Sequence, residues 1–427
     1  MRSIRLNTCF AAVLLILGLL ALQVPGAGRP RCLAPDIGQA DELFRQGQFD
    51  KAEQLYVQIA AADPASYRAA LGLGRIYLLR NALDPAETWL KKAMELKPEE
   101  QEPKALIGEV YYRRDEYEKA APYFEAAGQK PKAEYLKAFK GKSPFLIESG
   151  PDVTVVKFIR TDPLPSIKVT VNGQEGTFLI DTGGWELHVN PAFAEKCGIN
   201  PLGEQQTATY AGGQKAAIAH AVADTVGLGE FTLRNVPVVI PVGAGARPVD
   251  GIIGTVVLYH FLFTLDYPGG ALVLRRRTPE ISKSFRAEAD GAGSIWMPFW
   301  FAGDHFVFAW GTVNGAGPYL FFVDTGMGGG GFDCPESVIK EANIKLPEKG
   351  FTGQGGGGPV TVYPFNADLT LGEAKELSVQ GLHGAVPPGS EERFGFRMGG
   401  LISHGFFRPY AVTFDFLSMT LYLKKPA

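Results

Sequence analysis

The hydrophobic pattern changes period near residue 140. Before it, apolar residues recur at helical spacing in FDKAEQLYVQIAAADP, LDPAETWLKKAMELKP and YEKAAPYFEAAGQKP. These segments are copies at a step of 34 residues: Ala52, Ala86 and Ala120 are equally spaced, as are Tyr56, Leu90 and Phe124. Pro64 and Pro98, Gly74 and Gly108, and Tyr77 and Tyr111 keep the same step. The pattern predicts stacked helical hairpins. Small Ala and Gly positions let paired helices approach closely, and each proline ends a second helix. The first copy is weaker, with Ala40 where the later copies have Gly.

Beyond Lys140 the alternation is of period two. VTVVKFIR, SIKVTVNG, GTFLIDTG, KAAIAHAVADTVGLG and NVPVVIPV read as strands, and VNGQEG as a hairpin turn. TLDYPGGALVLRR reads as two strands joined at Pro-Gly-Gly. The order then repeats. FVFAWGTVNGAGPYLFFVDTG follows the layout of SIKVTVNGQEGTFLIDTG, NPAFAEKCGI and CPESVIKEANI are short helix candidates, and GGLISHGFF answers GIIGTVVLYHF. An internal duplication accounts for this. The expected organisation is a helical module over 33–134, a first all-β unit over 150–278, a polar linker over 279–294 and a second all-β unit over 295–425.

Composition narrows the function classes. A net charge of -3 gives no basic footprint for nucleic acid. The N-terminal segment has Arg2 and Arg5, an apolar run from Phe10 to about Val24, and small residues thereafter. It reads as a signal peptide over 1–28 with cleavage near Ala27, the alternative being an uncleaved membrane anchor. GRPR before Cys32 is unlike a lipoprotein box. The rest of the chain is therefore expected outside the cytoplasm, periplasmic or extracellular. Four cysteines, one of them Cys9 in the leader, make no disulfide framework. Cys197 and Cys334 read as buried small hydrophobes. His260 and His404 are too few for a zinc site and read as packed histidines. No phosphate loop or serine nucleophile elbow is visible. No metal and no cofactor is expected.

Two resemblances follow. The helical copies resemble tetratricopeptide repeats, which stack into a solenoid that either binds peptides or proteins on its concave face or packs against the next domain. The remainder resembles the aspartic protease superfamily, in the size range of retropepsin-like units. The residues that carry this are the two Asp-Thr-Gly motifs, the apolar strand before each, and the downstream Ile252-Ile253-Gly254 and Met398-Gly399-Gly400. The resemblance implies a single-chain pseudo-dimer. Asp181 and Asp324 would form a catalytic dyad, and Thr182, Gly183, Thr325 and Gly326 would support the two loops. Ile252, Ile253, Gly254, Gly399 and Gly400 would support them from below. Hairpin flaps would cover the cleft, with Tyr210, Gly212 and Gly213 in the first and Gly355 and Gly356 in the second. The chain departs from the family after each motif, where Gly184 and Met327 offer no hydroxyl. The expected function is an exported aspartic endopeptidase acting on peptides or unfolded proteins, with repeats for a substrate or partner. The alternative is a non-catalytic peptide-binding or protein-binding scaffold of the cell envelope.

Overall fold

The computed structural model describes residues 36–242, 248–355 and 357–426. The leader expected over 1–28, together with Cys9, Cys32 and the flap candidate Gly356, lies outside the described residues. The helical module comprises α1 (Ile37–Arg45), α2 (Phe49–Ala62), α3 (Tyr67–Leu79), α4 (Leu83–Leu96), α5 (Glu102–Arg113), α6 (Tyr117–Ala126) and α7 (Lys130–Lys137). The repeated positions meet each other in space. A Cβ added at Gly74 would lie 2.5 Å from the Leu90 side chain, and one at Gly108 would lie 3.1 Å from Phe124. The glycine is thus the hole that the large residue sixteen positions later fills. Pro64 and Pro98 stand just past the ends of α2 and α4.

The β region begins with β1 (Leu146–Ser149) and β2 (Val153–Lys157). It continues through β3 (Ser166–Val171), β4 (Gln174–Ile180), β5 (Leu187–Val189), α8 (Pro191–Lys196), β6 (Leu202–Thr209), β7 (Lys215–Leu228) and β8 (Phe231–Pro241). Next come β9 (Gly251–Ile253), α9 (Thr255–Leu258), β10 (Phe261–Asp266), β11 (Ala271–Arg276) and α10 (Pro279–Gly291). The second half holds β12 (Ile295–Pro298), β13 (Trp300–Ala302), β14 (Phe306–Val313), β15 (Ala316–Val323), β16 (Phe332–Asp333) and α11 (Glu336–Glu341). It ends with β17 (Phe351–Gly355), β18 (Gly358–Leu371), β19 (Ala374–His383), α12 (Ser390–Phe394), β20 (Gly400–Ile402), α13 (His404–Phe407), β21 (Ala411–Asp415) and β22 (Thr420–Lys424).

The first sheet runs β1-β8-β5-β9-β4-β3-β7-β6, and a β8–β7 pairing closes six of its strands into a barrel. Another sheet runs β13-β14-β15-β20-β16-β19-β18-β17, with a β14–β18 pairing across it. The central contact is parallel in both. Ile180 pairs with Ile253 in one, and Val323 pairs with Ile402 in the other. The remaining sheet runs β12-β22-β21-β10-β11-β2. Its two middle strands pair antiparallel, Phe263 opposite Phe414, and their rings stack at 4.6 Å.

Three boundaries differ from expectation. β1 lies before residue 150 and joins the first barrel through β8. The hairpins β10–β11 and β21–β22, expected inside separate units, pair with each other instead. Their strands are apolar on both faces, so they bury fully only between other layers. The polar linker is in fact the helix α10. Thr278 accepts the Ile281 N–H at its start, and Pro279 occupies the first turn. Helical spacing brings Phe285 against Tyr422 at 5.3 Å and Ser282 onto Asp415.

The solenoid is docked, not free. Phe44 and Phe49 are buried in one core with Trp300, Phe308 and Phe396 of the second β unit. Each such ring contributes about 1.5–3 kcal/mol through apolar burial. Adjacent residues on α5 grip different β units. The Tyr112 hydroxyl donates to Glu186 at 2.7 Å, while the Arg113 guanidinium donates to the Phe301 carbonyl at 2.9 Å.

Candidate active site

Asp181 and Asp324 follow β4 and β15, where the backbone leaves the parallel pairing. The Asp181 N–H donates to the Ile253 carbonyl at 3.1 Å, and the Asp324 N–H to the Ile402 carbonyl at 2.9 Å. The two loops then bind each other. The Thr182 N–H donates to Thr325 Oγ1 and the Thr325 N–H donates to Thr182 Oγ1, both at 3.0 Å. Thr182 Oγ1 in turn donates to the Val323 carbonyl at 2.9 Å. Both threonines are wholly buried. Their hydroxyls therefore satisfy backbone groups that would otherwise be costly to bury.

Each glycine faces the opposite carboxyl group. A Cβ on Gly183 would overlap the Asp324 carboxyl group, and a Cβ on Gly326 would overlap that of Asp181. Each glycine N–H also donates to Oδ1 of its own aspartate, at 2.8 Å in both loops. The two carboxyl groups are half-buried and lie against each other. Burial and then the Asp181 charge push the Asp324 carboxyl well above the ordinary carboxylate range. Burial also raises Asp181, against the opposing pull of the Gly183 and Gly184 amides and of His305. Two carboxyls this close share a proton that belongs to the pair, and of the two Asp324 is raised the more.

The downstream segments need a correction. In the first unit Ile252 pairs with Leu179 and Ile253 with Ile180, and the Gly254 N–H donates to the Glu186 carbonyl at 3.1 Å. Thr255 Oγ1 then donates to the Thr182 carbonyl at 2.7 Å. In the second unit the register sets Gly400 opposite Phe321 and Ile402 opposite Val323. Ser403, not Gly400, thus occupies the place of Gly254. Gly399 and Gly400 serve strand packing: a Cβ on Gly399 would meet Tyr319, and one on Gly400 the Asp333 carbonyl. The same register separates the two histidines. His404 answers to Thr255, and His260 instead binds Asp115 of the solenoid at 3.0 Å. Burial pushes His404 down to about 4.

The expected hairpins meet each other. Tyr210 to Gln214 form the turn between β6 and β7, and Gly212 and Gly213 take positive φ angles of 67° and 75°. The Gly212 N–H donates to the Ala385 carbonyl at 2.7 Å. Gly355 pairs with Gly358 at the turn of the second hairpin, and a Cβ on it would lie 3.7 Å from Ala211. Below Tyr210 lies Trp185, with ring centroids 5.8 Å apart.

Four residues of this region escaped sequence reasoning. Ser403 Oγ accepts the Met327 N–H at 3.1 Å, so a hydroxyl does reach the second loop, from another strand. The Tyr267 hydroxyl is buried without a partner among the described residues and lies within electrostatic reach of both aspartates. Asp333, wholly buried, accepts the Ala385 and Val386 N–H groups at 2.6 and 2.7 Å and so fixes the loop that holds Gly212. His305 lies 6.0 Å from Trp185 and 2.6 Å from the Asp304 carboxylate. The only sequence signal for any of these was the GGLISHGFF correspondence, which sets Ser403 on Gly254 only when Gly400, not Gly399, is matched to Gly251. Cys197 and Cys334 are buried free thiols, and burial pushes the Cys334 thiol up.

Residues 167–257 match a family model described as aspartyl protease, and residues 43–110 match one described as tetratricopeptide repeat. No curated protein matches the chain. A solved structure of a retropepsin-like aspartic protease from Rickettsia conorii aligns with 29% of this chain and 89% of its own. The identity there is 20% and the TM-score 0.23. The chain thus joins a tetratricopeptide-repeat region to a domain of the aspartyl protease type.

Proposed function

We propose that the chain is an aspartic endopeptidase whose two β units are copies of one protease unit, forming a pseudo-dimer around Asp181 and Asp324. The observation that carries this is reciprocal: each motif's glycine leaves room only for the other motif's carboxyl group. Two unrelated turns have no reason to fit each other in this way. The strand order of the shared sheet supports the duplication, since β2-β11-β10 on one side is mirrored by β12-β22-β21 on the other.

In the proposed reaction the Asp181 carboxylate takes a proton from a water held between the two acids. The water oxygen attacks the peptide carbonyl carbon, and protonated Asp324 donates to the carbonyl oxygen. The resulting tetrahedral diol breaks its C–N bond as Asp181 gives its proton to the nitrogen and Asp324 takes one back from a diol hydroxyl, which restores the dyad. An extended peptide lies beneath the two hairpins, which open to admit it. Because one shared proton is needed, the rate peaks on the acidic side of neutrality. Asp181→Asn and Asp324→Asn each reduce cleavage of an unfolded-peptide library by at least about a thousandfold, as loss of a whole chemical role does. New termini read by mass spectrometry across pH 3 to 8 check this. Cleavage persisting in either variant removes the dyad.

A second reading is a scaffold that holds peptides without cutting them. Gly184 and Met327 favour it, since neither supplies a hydroxyl to its aspartate. Failure of the unmutated protein to cleave at any pH would select it. We also place the protein outside the cytoplasm, on the strength of Arg2, Arg5 and the apolar run behind them. Intact-mass analysis of the native protein should find a chain starting near residue 28 in an extracytoplasmic fraction, and a full-length cytoplasmic chain refutes that placement.

A further inference from the structure

A cavity of about 360 Å³ lies where the solenoid meets the second β unit. That is the size of a small-ligand pocket. Arg75, Arg113 and Lys132 reach it from α3, α5 and α7, and Arg393 from α12. Three carboxylates line it too, and each is already matched. Glu102 takes Arg75, Glu109 takes Arg113, and Asp304 takes Lys132 and His305. One cation is left over. Among the described residues Arg393 has no ion pair, and its guanidinium lies over Phe306 and Phe394, 4.6 and 5.6 Å from the ring centroids. Arg113 is 5% exposed and its guanidinium already bonds the Leu78 and Phe301 carbonyls. The rest of the wall is apolar, with Phe44, Phe124 and Phe396.

The cavity also has an address. Asp304 lines it, and the next residue, His305, packs toward Trp185, which lies below the hairpin turn at Tyr210. His305 also acts on the Asp181 carboxyl, so the cavity and the dyad share one corner of the chain. We propose that the cavity takes an acidic side chain of the peptide that occupies the cleft, its carboxylate on Arg393 and its apolar neighbours against the phenylalanines. The solenoid then contributes directly to substrate choice. This deepens the protease reading and rests on it for the identity of the peptide as substrate, while binding itself needs no turnover.

The test uses the full chain carrying Asp324→Asn, so that nothing is cut. End-capped decapeptides with one Glu between Leu and Phe, scanned along the chain, are titrated by calorimetry beside the same peptides with Gln. The best Glu peptide is expected to bind about tenfold more tightly than its Gln partner, as a charge-assisted hydrogen bond would give. Adding Arg393→Gln should erase that difference by bringing the Glu peptide down to the affinity of its Gln partner. Equal affinities, no binding of either peptide, or a preference that survives Arg393→Gln overturns the proposal. So does a gain confined to a Gln peptide with a free C-terminal carboxylate, which would make the chain end the ligand. A Glu preference in a protein whose unmutated form never cleaves leaves the cavity assignment standing and removes the protease reading instead.

Discussion

The two β units place their aspartates by the same backbone contacts yet surround them differently. In each, the aspartate N–H reaches an isoleucine carbonyl, Ile253 or Ile402, and the following threonine bonds across to the other loop. Past that point they diverge. The first unit continues Gly254-Thr255, and the Thr255 hydroxyl holds the Thr182 carbonyl. The second continues Ser403-His404, and the Ser403 hydroxyl takes the Met327 N–H. Burial raises both acids and one glycine amide opposes it in each loop, but His305 pulls Asp181 down whereas the charge of Asp181 pushes Asp324 further up. The lesson is that near-symmetry of backbone can coexist with assigned roles. The pair needs matched positions to meet and unmatched surroundings to decide which member keeps the proton.

The largest expected effect breaks the symmetric part. Gly183→Ala and Gly326→Ala each force a methyl group into the opposite carboxyl group, so each should abolish cleavage by at least about a thousandfold, with the protein still folded by circular dichroism. The effects should be alike, because the clash is reciprocal. A variant of either kind that retains normal activity would show that the two loops do not meet in the working protein.

Much of this arrangement was legible from sequence, for identifiable reasons. The repeat period was visible because Tyr56, Leu90 and Phe124 each need a small partner sixteen residues earlier. The paired motifs were visible because close approach leaves glycine as the workable residue. What stayed hidden depends on register. Met398-Gly399-Gly400 matches the apolar-apolar-Gly pattern better than Leu401-Ile402-Ser403 does, yet parallel pairing to β15 selects the latter. Helix α10 was hidden because its sequence is mostly polar, with its few apolar contacts supplied by β22 and its neighbours. Docking of the solenoid was one of two readings of the repeats, but its contacts were hidden. Nothing in the repeat pattern shows that Tyr112 and Arg113 grip separate β units.

A smaller effect sharpens the difference between the halves. Thr255→Val removes the donor to the Thr182 carbonyl, and Ser403→Ala removes the acceptor of the Met327 N–H. Each leaves one buried backbone group unpaired, at a cost of about 1–3 kcal/mol. If that cost falls on loop position, kcat drops about tenfold or more while the pH profile shifts little. Denaturant unfolding and steady-state rates on one peptide substrate separate the two contributions. Thr255→Ser should restore the first loop, since it returns the hydroxyl. Failure of that rescue would mean that the threonine methyl group, not its hydrogen bond, matters there.

The smallest expected effect reads the asymmetry through stability alone and needs no activity. Asp324 has a folded pKa above its unfolded value, so folding favours its protonated form. The sign follows from linkage: the favourable contribution is fully present below the unfolded pKa and is lost as pH rises through the folded pKa. At neutral pH the pair is therefore a liability to the fold, because both acids ionise freely only when unfolded. Asp324→Asn keeps the shape and removes one titrating group. It should raise Tm by on the order of a few °C at pH 7 and by nothing measurable at pH 3, where the unmutated aspartate is already protonated. Asp181→Asn removes the same repulsion, but burial raises Asp181 less than Asp324, with His305 pulling against it. Its gain at pH 7 should be the smaller of the two. Scanning calorimetry at the two pH values decides it, and an equal gain from both variants would mean that the two aspartates sit in equivalent surroundings after all.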